Sequence, residues 1–124
     1  MKSNRPVHLN LFTITLPFAG MVSFTHRVTG AALFVGVAFG LYALDMALSS
    51  PAGFAEAAAL VQEPLPKFIL LGLLFTLTFH IVAGIKHLLL DFHIGDTMQA
   101  ATAGAIAVAV ISVLITGVFG ALLW

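Results

Sequence analysis

The sequence has no cysteine, only 8% charged residues and a formal net charge of zero. Without cysteine, the chain cannot supply disulfides, thiolate-ligated zinc sites or ligands for iron–sulfur clusters. A soluble domain carries about 25% charged residues, so a water-soluble fold is excluded. The zero net charge gives no indication of a nucleic-acid partner. Hydrophobic residues instead make up 60% of the chain, and they predict an integral membrane protein in contact with lipid.

Three long apolar runs predict an all-α membrane protein with three transmembrane helices. The spans are expected at about 22–48, 67–91 and 101–123. Each is longer than the roughly 20 residues that cross the hydrocarbon core of a bilayer. Residues 1–17, interrupted by prolines, are predicted to form a cytoplasmic N-terminal arm. The remaining residues, 18–124, then form a three-helix transmembrane domain.

Turn-forming and small residues predict how the spans are connected and packed. Residues 51–66 are expected to form a loop with one or two helical turns in the alanine-rich stretch 54–61, and Pro64 is expected to end these turns. In the first span, Gly36 and Gly40 form a G-x-x-x-G pair, which is interpreted as a site of close helix packing.

The positive charges are divided unevenly between the two sides of the predicted spans. Four lie on the side of the N-terminus and only Lys67 lies opposite; the four are Lys2, Arg5, Arg27 and Lys86. The positive-inside rule therefore places the N-terminus in the cytoplasm and the C-terminus in the periplasm. The first residues resemble neither a cleavable secretory signal nor an organelle import sequence. We therefore expect a multi-pass protein of the bacterial inner membrane.

Two histidines occur near the end of the second span, where a lipid-facing helix should have none. His80 lies about thirteen residues into the span, roughly 20 Å from its start. A neutral imidazole at that depth can ligate haem iron, relay a proton or pack against another helix through a hydrogen bond. Gly84, one turn later, leaves room either for a flat macrocycle or for close helix packing.

His87 follows His80 by seven residues, on nearly the same face and about 10.5 Å further along the helix. The two axial ligands of one haem lie on opposite sides of the iron, so this pair cannot ligate the same iron. The remaining histidines, His8, His26 and His93, are expected at the cytoplasmic edge. If His80 binds haem, the second ligand should come from another polypeptide.

A second polar group lies at the cytoplasmic end of the first span. Ser23, His26 and Arg27 are spaced to share one helix face. Together they can bind a polar head group or a propionate, because arginine offers a fixed fork of donors. The alternative is an arginine that reaches lipid phosphate at the interface. Asp91 is interpreted as a helix-end residue that pairs with Lys86 or Arg27.

These residues occur in two motifs that resemble the signatures of the succinate dehydrogenase cytochrome b subunits, in the same order. The first consists of Arg5-Pro6 and Ser23-x-x-His26-Arg27-x-Thr29-Gly30. The second is His80-x-x-x-Gly84-Ile85-Lys86-His87, followed by Asp91. The resemblance extends over essentially the whole chain, including the three spans and the C-terminal tryptophan.

The resemblance implies a role for each of five residues. His80 is the axial ligand of a haem b, whose other ligand is a histidine of a partner subunit. Ser23 and Arg27 bind ubiquinone. His26, Arg27 and His87 lie near the haem propionates. Lys86 departs from the family pattern, which usually has arginine there, so a forked propionate contact is not expected from it.

The resemblance also implies the assembly and its reaction. The chain is a membrane anchor of complex II that pairs with a second small anchor subunit and docks the iron–sulfur subunit and the flavoprotein on the cytoplasmic side. Electrons pass from succinate through the iron–sulfur subunit to ubiquinone, and the chain is not catalytic alone. The alternatives are a purely structural anchor without haem, the anchor of a fumarate reductase, and a small transporter component. The transporter is disfavoured because the third span has no ionisable residue.

Overall fold

The structure is a computed structural model that describes residues 13–124. In that range the chain forms four helices and no strand: α1 Phe18–Ser49, α2 Pro51–Leu60, α3 Pro64–Asp91 and α4 Met98–Leu123. By length and composition, α1, α3 and α4 are each able to cross a membrane. The predicted all-α class with three membrane-spanning helices is therefore confirmed. Most of the predicted arm, residues 1–12, lies outside the described residues.

The segment between the first two spans is more helical than the sequence predicted. It forms the ten-residue helix α2, and only residues 61–63 separate α2 from α3. The side chain of Ser50 caps α2 by accepting a hydrogen bond from the Gly53 amide at 3.0 Å. Pro51 and Pro64 occupy the first positions of α2 and α3, where the missing proline N–H has no intrahelical partner to lose. Pro64 therefore begins a helix rather than ending one.

The three long helices pack around a small core. α3 contacts both α1 and α4, and α1 also contacts α4. The buried apolar side chains are few: Val22, Phe79, Ala83, Ala105 and Val108. Most large apolar side chains point outward, and Phe34 is 84% exposed. An apolar surface of this extent is stable only against lipid or another protein.

The two glycines of the G-x-x-x-G pair differ in their contacts. A Cβ added to Gly36 would lie 2.5 Å from Leu73 Cδ2 of α3, so this glycine admits a close side-chain contact. A Cβ added to Gly40 would meet no atom within 4 Å. Within residues 13–124, only Gly36 of this pair packs against another helix.

At the end of the bundle away from the histidines, the C-terminus of α4 meets the N-terminus of α3. The Lys67 ammonium lies 5.0 Å from the centre of the Trp124 ring system. The Phe68 ring lies 5.1 Å from it. The cation–π and aromatic contacts join these two helix ends in the region where tryptophan is enriched in membrane proteins.

Replacing Gly53 with alanine should destabilise the corner between α1 and α2. Gly53 is buried, and an added Cβ would overlap the Met46 carbonyl oxygen and lie 2.7 Å from Ser49 Oγ. The Met46 backbone cannot move aside easily, so we expect the free energy of unfolding to fall by about 1–3 kcal/mol. Thermal unfolding of the detergent-solubilised protein would measure it. Gly40→Ala is the matched control, and a Gly53→Ala melting temperature equal to that of the control would contradict the prediction.

Candidate functional site

His80 of α3 lies against α1 and is held there by one ring nitrogen. His80 Nδ1 is 3.1 Å from the backbone oxygen of His26 and 3.2 Å from Thr29 Oγ1. A carbonyl oxygen can only accept, so Nδ1 carries the proton and donates it. The lone pair of the neutral imidazole is then on Nε2. This second nitrogen has no hydrogen-bond partner among residues 13–124 and is not enclosed by them.

His26 of α1 contacts two other histidines, His80 and His87 of α3. Its ring stacks on His80 with a centroid distance of 4.2 Å and an interplanar angle of 19°. The His87 ring is 5.0 Å away and inclined by 43°. A Cβ added to Gly84 would lie 3.5 Å from His26 Nε2, an ordinary van der Waals distance, so position 84 packs against the His26 ring. This contact favours the packing interpretation of Gly84.

The stacked arrangement excludes a role for His26 as the second axial ligand opposite His80. Axial imidazoles point their nitrogens at the iron from opposite sides, whereas these two rings lie face to face. In the described part of the chain, no group of three or more His, Cys, Asp or Glu side chains is placed to hold a metal ion. Within residues 13–124, the donors therefore fit a single nitrogen ligand from His80 and not a complete metal site.

Ser23 and Arg27 lie one turn apart on α1, beside the histidine group. Ser23 is half-buried and Arg27 is exposed. Within residues 13–124 neither side chain has a hydrogen bond or ion pair, and the Ser23 hydroxyl is not enclosed by other atoms. A free hydroxyl and a free guanidinium thus lie one turn apart in the N-terminal part of α1, where they can bind an acceptor oxygen.

Lys86 and Asp91 are not part of this group. The alkyl chain of Lys86 lies on α4, where a Cβ added to Gly104 would come within 3.1 Å of Lys86 Cε. Asp91 is exposed and forms no ion pair with Lys86 or Arg27. The one contact of this kind within residues 13–124 joins His93 Nδ1 and Asp96 Oδ2 at 3.8 Å, an ion pair when the imidazole is protonated.

Thr29 and Gly30 also contact His80, although no role beyond membership of the motif was predicted for them. Thr29 is only 7% exposed, and its hydroxyl donates to the His26 backbone oxygen at 2.8 Å. A Cβ added to Gly30 would lie 2.9 Å from His80 Cε1. The spacing of His26 and Thr29, three residues apart on one helix, is the sequence signal that could have identified the threonine.

Comparison with known proteins shows the family to which the chain belongs. The model of the succinate dehydrogenase/fumarate reductase transmembrane subunit family matches residues 1–119. The succinate dehydrogenase cytochrome b556 subunit of Paracoccus denitrificans is 34% identical over 125 residues, covering 95% of this chain and 96% of the relative. The cytochrome b556 subunit of Coxiella burnetii is 28% identical over the full length of both chains.

The similarity extends to a mitochondrial protein. The succinate dehydrogenase cytochrome b560 subunit of Sus scrofa is 36% identical over 120 residues, which are 90% of this chain and 68% of the relative. The helices, the two motifs and the match over nearly the whole length lead to one conclusion. The chain belongs to the family of succinate dehydrogenase/fumarate reductase transmembrane subunits, as a member of its cytochrome b type.

Proposed function

We propose that this chain is the haem b- and ubiquinone-binding membrane subunit of a succinate dehydrogenase. The observation that carries the proposal is the state of His80: its Nδ1 donates to the His26 backbone oxygen, and the Nε2 lone pair is unused. Metal-bound histidines characteristically donate their other ring nitrogen in this way. The relatives are named cytochromes b, which supports haem b as the group that His80 would bind. A bound haem would act as a one-electron carrier.

Three further residues would hold the propionate edge of the haem. His26 offers a ring nitrogen beside His80, His87 offers one beside His26, and Arg27 offers a guanidinium one residue from His26. Imidazole and guanidinium N–H groups are good partners for carboxylates, and arginine can form two parallel hydrogen bonds to one. Lys86 has no part in this arrangement because its side chain lies along α4.

The second axial ligand would come from a second small membrane anchor subunit. Within residues 13–124, His26 is stacked on His80, and His87 lies against His26. Neither histidine is placed across an iron from His80. The extensive apolar outer surface provides room for a partner as well as for lipid. The iron–sulfur subunit and the flavoprotein would then dock at the cytoplasmic face.

Ser23 and Arg27 would bind ubiquinone. Their free hydroxyl and guanidinium can donate hydrogen bonds to a quinone oxygen and stabilise the negative charge that develops there on reduction. Electrons would reach the quinone from succinate through the flavoprotein and the iron–sulfur subunit. The chain contributes the site of quinone reduction without being an enzyme alone.

The reduced-minus-oxidised visible spectrum of the complex purified through this chain tests the proposal. A b-type haem spectrum and succinate-dependent ubiquinone reduction are expected. A complex without haem would instead support a purely structural anchor. Since the family also includes fumarate reductase subunits, a complex that reduces fumarate faster than it oxidises succinate would support the fumarate reductase alternative.

The same proposal places the chain in the bacterial inner membrane with a cytoplasmic N-terminus and a periplasmic C-terminus. The absence of cysteine makes the orientation directly measurable. A cysteine at Gln62, between α2 and α3, should react with a membrane-impermeant maleimide added to intact spheroplasts. A cysteine at Ile94, in the turn after α3, should react only after lysis. The reverse pattern would overturn the orientation.

A further inference from the structure

We propose that Thr29 is a positioning residue for His80: its buried hydroxyl, together with the His26 carbonyl, fixes the imidazole in the form that presents Nε2 as a ligand. The proposal rests on the proposed haem-binding function and extends it to a residue of α1 that does not itself touch the iron. Three contacts support the proposal, and they connect the same three polar atoms.

The three atoms leave one consistent placement of the protons. Thr29 Oγ1 lies 2.8 Å from the His26 oxygen, and this oxygen can only accept, so the threonine proton is donated to it. His80 Nδ1 lies 3.1 Å from the same oxygen and 3.2 Å from Thr29 Oγ1. The hydroxyl has given away its single proton and faces Nδ1 with a lone pair. Nδ1–H therefore donates to both oxygens.

The alternative tautomer would be penalised twice. With the proton on Nε2, the Nδ1 lone pair would face the His26 carbonyl oxygen at 3.1 Å with no proton between them. The Thr29 hydroxyl could donate to Nδ1 only by giving up its bond to that carbonyl. The His26 carbonyl alone already favours the Nδ1–H tautomer of His80. The buried Thr29 hydroxyl makes that preference stronger.

The surroundings restrict the threonine and the imidazole to this arrangement. Thr29 is buried, and its hydroxyl bonds the carbonyl three residues earlier, a rotamer that threonine commonly adopts in helices. On the other side of the contact, the His80 ring approaches Gly30 so closely that a Cβ there would lie 2.9 Å from Cε1. The glycine allows the imidazole to reach the two acceptors, and the threonine supplies one of them.

A histidine that donates through Nδ1 is a stronger base at Nε2 and so a stronger axial ligand, particularly for ferric iron. Removing the hydroxyl should raise the midpoint potential of the haem. It should also weaken haem retention by about tenfold, the lower end of the range for loss of such an outer hydrogen bond. The haem should otherwise remain low-spin, because Nε2 is still present.

The experiment compares four variants in the intact complex. It measures the midpoint potential by redox titration of the haem, and haem loss by the haem that remains after incubation with a haem-free protein that captures released haem. Thr29→Val and Thr29→Ala should both raise the midpoint potential and speed haem loss. Thr29→Ser keeps the hydroxyl and should stay near wild type. Thr25→Val is the matched control, because Thr25 lies one turn before Thr29 on α1 and its hydroxyl bonds only the Met21 carbonyl, at 2.9 Å.

Each result has a defined meaning. Wild-type potential and haem retention in Thr29→Val or Thr29→Ala would overturn the proposal for Thr29 while leaving haem binding intact. An equal shift in Thr25→Val would overturn it too, because the effect would then not depend on contact with His80. Failure of the proposed function would be visible separately, as a wild-type complex that contains no b-type haem.

Discussion

Replacing His80 with leucine should abolish the low-spin b-type haem spectrum of the complex. His80 is the one histidine in the described chain whose Nδ1 donates to a backbone oxygen and whose Nε2 is free. Leucine has no lone pair, so the iron would lose this axial bond. The reduced-minus-oxidised spectrum should then be absent or of a high-spin form. Leucine is compatible with an apolar membrane helix, so the complex should still assemble.

His93 provides the matched control for this variant. It is exposed, lies in the turn after α3 and adopts a φ of 59°, which asparagine tolerates better than most residues. His93→Asn should therefore leave the haem spectrum unchanged. If His80→Leu retains the wild-type spectrum in an assembled complex, the ligand assignment is wrong, and the structural-anchor alternative gains support.

Replacing Arg27 with leucine should lower kcat/KM for ubiquinone by about 100-fold, and Ser23→Ala by about tenfold. Both side chains are free of partners within residues 13–124 and lie one turn apart in the N-terminal part of α1. A hydrogen bond from or to a charged group contributes about 1.5–3 kcal/mol, equivalent to roughly 10–100-fold. Arginine can also stabilise the charge of the reduced quinone, so its loss should cost more.

The reaction that distinguishes quinone binding from general damage is succinate oxidation with a soluble dye. This reaction bypasses the quinone, so both variants should retain it at the wild-type rate. Lys67→Leu, a cation removed at the opposite end of the bundle beside Trp124, should retain both activities. Equal losses of dye and quinone reduction in Arg27→Leu would indicate disrupted assembly rather than a quinone-site role.

The sequence alone was sufficient for the membrane class and for the three spanning helices. A transmembrane helix needs only about 20 apolar residues, and all its backbone hydrogen bonds are internal, so a local run of sequence specifies it. Helical periodicity was also sufficient to show that His80 and His87 cannot ligate one iron, because both lie on one helix. Ser23 and Arg27 were predicted to share a helix face in the same way, from their spacing within α1.

The helix α2 was predicted only in part, because its N-terminal cap combines two weak local signals. Ser50 caps the helix through its side chain, and Pro51 occupies the first position. The same serine and proline residues are also common in loops. Gly53, three residues after Ser50, has a role that depends on contact with the Met46 carbonyl of α1. The decision between loop and helix therefore rested on packing between two elements.

The contacts between α1 and α3 could be decided only by the tertiary structure. His26 and His80 are 54 residues apart, and their stacking depends on how closely the two helices approach and on the rotation of each helix about its axis. The small Gly30 permits that approach, because an added Cβ would lie 2.9 Å from His80 Cε1. The sequence supplied the imidazoles and the threonine, but only the packing of the two helices brought Thr29 and the His26 carbonyl to the same nitrogen of His80.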